Sequence, residues 1–106
     1  MRPRLADAAL RPAPAQISFT HGAFRDLLRI RASSSLFRLR RAEDVMTRLR
    51  FLNTGAGQVP TVIAGHLAGA SYPGAGFREL LYLVNVDRVA RPLVLESERG
   101  KRYVLH

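Results

Sequence analysis

The spacing of apolar residues changes once along this chain, and that change constrains the fold most. From Ile17 to Arg31, apolar positions recur three and four residues apart, as on one face of an α-helix. Phe24, Leu27 and Leu28 are the apolar anchors of this face. From residue 48 onward, short runs alternate between polar and apolar residues, as β-strands do. The sequence therefore predicts one helix followed by short strands.

Three consecutive serines, residues 33–35, mark the predicted end of this helix. Serine continues a helix poorly because its hydroxyl competes for backbone hydrogen bonds. We therefore expect the helix to end near Ala32. The following "RAEDVMTRL" is compatible with one or two more helical turns, with Glu43 and Asp44 in the first turn, where the helix dipole favours acids.

Three segments predict strands: "RLRF", "TVIAGHLAG" with a glycine interruption, and "RELLYLVNV". The last has almost no polar gap, which predicts burial on both faces. "PLVLES" and "RYVLH", joined by the turn "ERGK", predict a closing hairpin. The predicted fold is therefore mainly β, of the α+β class: an N-terminal helix followed by an incomplete antiparallel β-sandwich or sheet. The expected divisions are an irregular segment (1–16), a helix and junction (17–40) and a truncated β-sandwich (41–106).

The length of the chain, its lack of cysteine and its short apolar runs exclude several classes of protein and of site. Its 106 residues allow one domain, whereas a catalytic (β/α)₈ barrel needs about 250. The sequence has no cysteine, which excludes disulfides, thiolate catalysis and cysteine-based zinc sites. No apolar run approaches the ~20 residues that span a bilayer, so no membrane partner is predicted, and the N-terminal residues lack the apolar core of a signal peptide.

The formal net charge of +9 first suggests a nucleic-acid partner. Sixteen of the seventeen cationic residues are arginines, however, and they are spread along the whole chain. The densest run, Arg38, Arg40 and Arg41, is short, and the tyrosines form no stacking series with the arginines. The sequence therefore disfavours nucleic acid as the partner.

The histidines, acids and glycine-rich loops of the sequence form no catalytic or metal-binding pattern. No two of His21, His66 and His106 have the spacing of helical metal ligands, and His66 is interpreted as structural. The eight acids are dispersed, so no paired acids are predicted. Neither glycine-rich loop precedes a helix, as a phosphate-binding loop does. The sequence thus predicts no catalytic residue, no metal site and no cofactor.

Two long phrases nevertheless resemble a known family. "FRDLLRIRASSSLFRLRRAEDV" followed by "RLRFLNTGAGQVPTVI", and then "LVNV", resembles the C-terminal part of pullulanase-type α-1,6-glucosidases of the α-amylase family. In that family, the first phrase belongs to the last helix of the catalytic barrel, and the second starts the C-terminal β-sandwich. Ser35 stands where proline is common in the family, and Leu52 where histidine is expected.

The resemblance implies a non-catalytic accessory region of a starch-debranching enzyme, because the family's catalytic residues lie upstream and match no position here. It also implies that the chain is a piece of a longer enzyme. The expected partner is the catalytic barrel of a parent enzyme, or a second copy of this chain through self-association; a glucan is a further candidate. The alternative is a free-standing module that binds carbohydrate or polyanions. The residues expected at the interface and junction are Phe24, Leu27, Leu28, Arg31, Leu36, Phe37, Arg38 and Leu39.

Overall fold

The computed structural model describes residues 7–106, in which a long helix precedes a three-stranded antiparallel sheet. The chain divides into two compact units, Met1–Ser33 and Ser34–His106. The helices are α1 (Pro14–Ser33) and α2 (Ala42–Arg48), and the strands are β1 (Leu49–Phe51), β2 (Val62–Ala68) and β3 (Glu79–Asn85). Short 3₁₀ turns lie at Ala8–Leu10, Ser35–Arg38 and Glu96–Glu98. The α+β class and the antiparallel sheet predicted from the sequence are confirmed.

Helix α1 begins three residues before the predicted start. Pro14 occupies its first position, where the fixed φ of proline suits a helix and its missing N–H is not needed. The side chain of Gln16 accepts a hydrogen bond from the backbone N–H of Ala13, at 2.8 Å, and so caps the helix start. The helix ends at Ser33, one residue beyond the predicted end, and the Ser33 hydroxyl donates to the carbonyl of Ile30 at 2.7 Å.

The sheet has the order β1-β2-β3, with β2 in the centre. Leu49 pairs with Leu67 across the first ladder, and Gly65 pairs with Tyr82 across the second. A Cβ atom at position 65 would collide with the Tyr82 ring, which shows that this ring lies directly over the glycine. The glycine that interrupts the apolar pattern of β2 therefore makes room for a cross-strand aromatic side chain.

The core of the second unit is small. Its buried apolar residues come from the 3₁₀ turn after α1, from β2 and from the loop before β3: Leu36, Val62, Ala64, Leu67 and Ala75. Leu36, Leu67 and Ala75 form one cluster, and half-buried Leu39, Leu49, Tyr72, Leu80 and Tyr82 pack against it. The turn that follows α1 in sequence is therefore part of the core beneath the sheet.

The predicted burial of β3 on both faces is wrong. Residues 79–82 are half-buried, whereas Leu83 and Val84 are 57% and 44% exposed. The described residues form one sheet, and a β-sandwich core requires a second sheet against the first. The first four residues of β3 are therefore partly covered on both sides of the strand, and its last three are open to solvent.

The predicted closing hairpin is also absent, because residues 92–106, all of them described, contain no strand. Consecutive turns form instead: the backbone N–H of Glu98 donates to the carbonyl of Leu95, and the N–H of Lys101 donates to the carbonyl of Glu98. Gly100 has a φ of +82°, a left-handed conformation that glycine adopts readily. The side chains of Lys101 and Tyr103 both contact the Glu98 carboxylate. These side chains therefore do not alternate between two faces as they would in a strand.

Candidate functional site

The junction, defined here as residues 34–39, is anchored to the loop before β3 by its serines. The Ser34 hydroxyl donates to the carbonyl of Ala75 at 2.5 Å and accepts from the backbone N–H of Leu36 at 3.1 Å. The Ser35 N–H donates to the carbonyl of Gly74 at 3.0 Å, and its hydroxyl donates to the carbonyl of Pro73 at 2.7 Å. These bonds fix the junction on the second unit, so the serines do more than end a helix.

Leu36 is the most deeply buried large side chain of the junction, with 2% of its surface exposed. A Cβ atom at position 69 would lie 3.0 Å from the Leu36 Cδ1 atom, which shows that this side chain packs against the Gly69 backbone. Leu39 is half-buried against the same cluster, and Phe37 is half-buried. Two leucines predicted for an inter-domain interface thus serve the core of the second unit.

The residues predicted on α1 have a different environment. Phe24, Leu27 and Leu28 are 60%, 62% and 49% exposed, and Arg31 is exposed as well. No residue of α1 is buried. The structure therefore divides the eight predicted interface residues into four exposed ones on α1 and four in the junction.

Helix α1 carries apolar side chains on two opposite sides. At about 100° per residue, Ile17, Phe24 and Leu28 share one side, and Phe19 and Ile30 share the other. All five are large and exposed. Polar residues, including Arg25 and Arg29, lie between these two sides, so the helix is not apolar all round, but apolar side chains exposed on two sides are typical of a helix that contacts other parts of a larger protein. The helix therefore has more apolar surface than a solvated surface helix needs.

A group of polar side chains lies where the end of β2 pairs with the start of β3. His66 on β2 and Glu98 in the last 3₁₀ turn are buried, and Glu79 on β3 is half-buried. The Lys101 ammonium lies 2.9 Å from a carboxylate oxygen of Glu79 and 2.9 Å from one of Glu98. The His66 Nε2 atom lies 3.4 Å from the same oxygen of Glu79, and the Tyr103 hydroxyl donates to Glu98. These five residues are called the polar cluster below.

The pKa values of the polar cluster follow from its hydrogen bonds. The bond from Tyr103, followed by the bond from Lys101, lowers the pKa of Glu98 to about 2. The bond from Lys101, followed by that from His66, lowers the pKa of Glu79. Burial, followed by the bond to Glu98, raises the pKa of Tyr103 to about 12. The hydrogen bonds to Glu79 and Glu98 raise the pKa of Lys101. Both carboxylates are therefore ionised at neutral pH, and the lysine is protonated.

The polar cluster also contains three potential metal ligands. The ligand atoms of His66, Glu79 and Glu98 lie within 4.8 Å of one another. The Lys101 ammonium, however, already lies in hydrogen-bond contact with both carboxylates and supplies the positive charge that a cation would bring. The geometry fits an internal ion-pair network better than a metal site.

The sequence prediction that nothing gathers the acids was wrong for Glu79 and Glu98. They meet through Lys101, although the chain between them carries no motif that signals the contact. The interpretation of His66 as a strand residue was correct, because it lies on β2, but the sequence did not indicate its carboxylate neighbour. The sequence offers one hint of this ion pair: the single lysine of the chain, Lys101, lies three residues after Glu98.

The comparisons with known proteins agree with this architecture. The family described as alpha-1,6-glucosidases, pullulanase-type, C-terminal, matches residues 1–106. The chain therefore belongs to the C-terminal family of pullulanase-type α-1,6-glucosidases. Over 63 residues it is 46% identical to Pullulanase 1, chloroplastic, of Arabidopsis thaliana; the match covers 59% of this chain and 6% of that protein. The chain thus corresponds to a small part of its curated relative. No helix within residues 7–106 is long and apolar enough to cross a membrane.

Proposed function

We propose that this chain is the non-catalytic C-terminal region of a pullulanase-type enzyme and that it supports a catalytic region by packing against it. The parent reaction would be hydrolysis of α-1,6-glucosidic bonds in pullulan or starch. The observation that carries this proposal is the apolar surface of α1, which is exposed on two opposite sides in a chain of this family. Exposed apolar side chains on two sides of a helix favour contact with a partner, and a catalytic region is the partner that family membership offers.

The chemistry of the described carboxylates supports a non-catalytic role. Glycoside hydrolysis uses two carboxyl groups, one of which must be protonated so that it can donate a proton to the leaving oxygen. Among residues 7–106, the polar cluster brings Glu79 and Glu98 together, but hydrogen bonds from Lys101 and His66 lower the pKa of Glu79, and hydrogen bonds from Tyr103 and Lys101 lower the pKa of Glu98. A pair of ionised carboxylates bridged by an ammonium group lacks the proton donor.

The interface that we propose has two parts. On α1, Phe24, Leu27, Leu28 and Arg31 would contact the catalytic region directly, because they are exposed. In the junction, Phe37 and Arg38 would contact it, while Leu36 and Leu39 would hold the junction on its own core. The divisions 1–16, 17–40 and 41–106 remain our proposal for the parent enzyme; within this chain, α1 begins at Pro14 and the compact units divide between Ser33 and Ser34.

Self-association follows from the same proposal when the catalytic region is absent. Exposed apolar patches of this kind favour contact with other molecules, so the isolated chain should form dimers or larger species through α1. Light scattering of the purified chain across a range of concentrations tests this expectation. A strictly monomeric chain at concentrations well above micromolar would contradict it.

The enzymatic part of the proposal is tested by pullulan hydrolysis. The chain alone should release no reducing ends from pullulan. A deletion variant of the Arabidopsis relative that lacks its matching C-terminal residues should be unstable to heat, and a chimera that carries this chain in their place should recover stability and hydrolysis. Hydrolysis by the chain alone would refute the non-catalytic role. A chimera no more stable than the deletion variant would refute the supporting role.

A further inference from the structure

A cavity of about 310 Å³ lies beside the junction and plays no part in the core. It is lined by Ser35, Arg38, Arg40, Tyr72 and Pro73. Two of these five side chains carry guanidinium groups, and both arginines are exposed. The cavity therefore combines positive charge, an aromatic ring and a serine hydroxyl in a space large enough for one or two side chains of a partner.

The guanidinium groups of Arg38 and Arg40 form no ion pair or hydrogen bond with the described part of the chain. Among the described residues, three other arginines have acidic partners close in sequence: Arg29 with Asp26 at 3.5 Å, Arg91 with Asp87, and Arg99 with Glu96 at 2.9 Å. A planar guanidinium presents several N–H donors in a fixed fork that matches a carboxylate. The charge at the mouth of this cavity is thus available to an acid from another molecule.

The walls of the cavity are held in place by contacts made within the second unit. Ser35 is bonded to the carbonyls of Pro73 and Gly74, which brings the junction to the loop that bears Tyr72. The Arg48 guanidinium lies 4.6 Å from the centre of the Tyr72 ring and donates to the backbone carbonyls of Ala68 and Ala70. The walls formed by Ser35 and Tyr72 are therefore preformed, whereas the exposed side chains of Arg38 and Arg40 would become ordered when a partner binds.

An acid, Asp44 on α2, contacts one of the cavity residues. The Asp44 carboxylate accepts a hydrogen bond from the Tyr72 hydroxyl at 3.4 Å. It reduces the local positive charge, but it forms no ion pair with Arg38 or Arg40 within 4.0 Å. Together with Arg48, the two cavity arginines give the immediate surroundings of Tyr72 an excess of positive charge.

We propose that this cavity binds an acidic side chain, aspartate or glutamate, from an acidic segment of the catalytic region. The inference rests on the proposed function and adds to it the chemistry of the partner surface. The size of the cavity favours a protein carboxylate over nucleic acid, because a duplex or a single strand would need a charged track that extends over several phosphates. The junction would then contribute a charged contact beside the apolar contact of α1.

The test measures the binding of a fluorescent peptide of alternating glutamate and glycine to the purified chain by anisotropy. The variant Arg38→Gln/Arg40→Gln should bind at least about fivefold more weakly, as expected for the loss of two exposed charged contacts. The matched control is Arg50→Gln/Arg88→Gln, which removes the same charge from exposed arginines outside the cavity. It should leave the affinity nearly unchanged.

Two results would overturn the inference. Equal losses in both double variants would show that only net charge matters. An RNA oligonucleotide that binds more tightly than the peptide, with the same dependence on Arg38 and Arg40, would assign the cavity to nucleic acid. The two proposals can fail separately. If the chimera is equally stable with the native arginines and with Arg38→Gln/Arg40→Gln, only the acidic contact is refuted. A chimera that gains nothing over the deletion variant would refute the supporting role.

Discussion

Replacing Leu36 by alanine is expected to destabilise the second unit strongly. The side chain is 2% exposed and contacts Leu67, Ala75 and the Gly69 backbone, so the shorter side chain would leave a cavity in a core with few buried residues. Substitutions of buried leucine by alanine cost about 3 kcal/mol. A unit of this size has a total stability on the order of 4–11 kcal/mol, so the loss would be a large fraction of it. The milder Leu36→Val change should cost about 1 kcal/mol.

Urea unfolding, monitored by tyrosine fluorescence, measures this loss of stability in the unit Ser34–His106. All three tyrosines, Tyr72, Tyr82 and Tyr103, lie in the unit Ser34–His106, and the chain has no tryptophan. With a slope of about 1 kcal/mol per molar urea, Leu36→Ala should lower the midpoint by about 3 M.

The matched control is Leu27→Ala on α1, where the same atoms are removed from a side chain that is 62% exposed. It should change the midpoint by less than about 0.5 M. Equal shifts for Leu27→Ala and Leu36→Ala would refute the assignment of Leu36 to the core and of Leu27 to an open surface.

Three further predictions concern single residues. Ser34→Ala should cost about 1–2 kcal/mol in the same urea assay, because the hydroxyl donates to the Ala75 carbonyl and accepts from the Leu36 N–H; no loss would contradict the anchoring role. Gly22→Ala should raise the thermal midpoint of α1, measured by circular dichroism, because glycine in a helix interior costs about 1 kcal/mol and nothing lies within 4 Å of the new methyl group; a lower midpoint would contradict this. The pKa of Glu98 is lowered from 4.5 to about 2, so its contribution to stability is complete above pH 4.5 and is lost as pH falls towards 2. The variant Glu98→Gln should therefore have a flatter stability profile between these pH values, and an unchanged slope would contradict the ionised state of Glu98.

The parts of the fold that the sequence predicts well depend on local periodicity. Helix α1 ends within one residue of the expected position because serine side chains act on the adjacent backbone. Strands β2 and β3 were located because their apolar runs are bounded by turn-forming residues. The family resemblance, carried by two long phrases, predicts the family to which the chain belongs.

The parts that the sequence missed depend on contacts between distant residues. The alternation in "PLVLES" and "RYVLH" resembles that of a hairpin, but the contacts of Lys101 and Tyr103 with Glu79 and Glu98 favour turns over strands. Similarly, nothing next to Ser34 and Ser35 indicates that their partners are the carbonyls of residues 73–75. In both cases, the decisive hydrogen bonds join segments that are far apart in sequence.

We propose that α1 binds a catalytic region. This binding is tested most directly by the affinity of the chain for a pullulanase whose own C-terminal region is deleted. Isothermal titration should show a one-to-one complex that Phe24→Asp abolishes. The control Phe51→Asp changes a phenylalanine of similar exposure, 55% against 60%, on β1, and should leave the complex intact. The absence of a complex, or equal effects of the two substitutions, would contradict the claim.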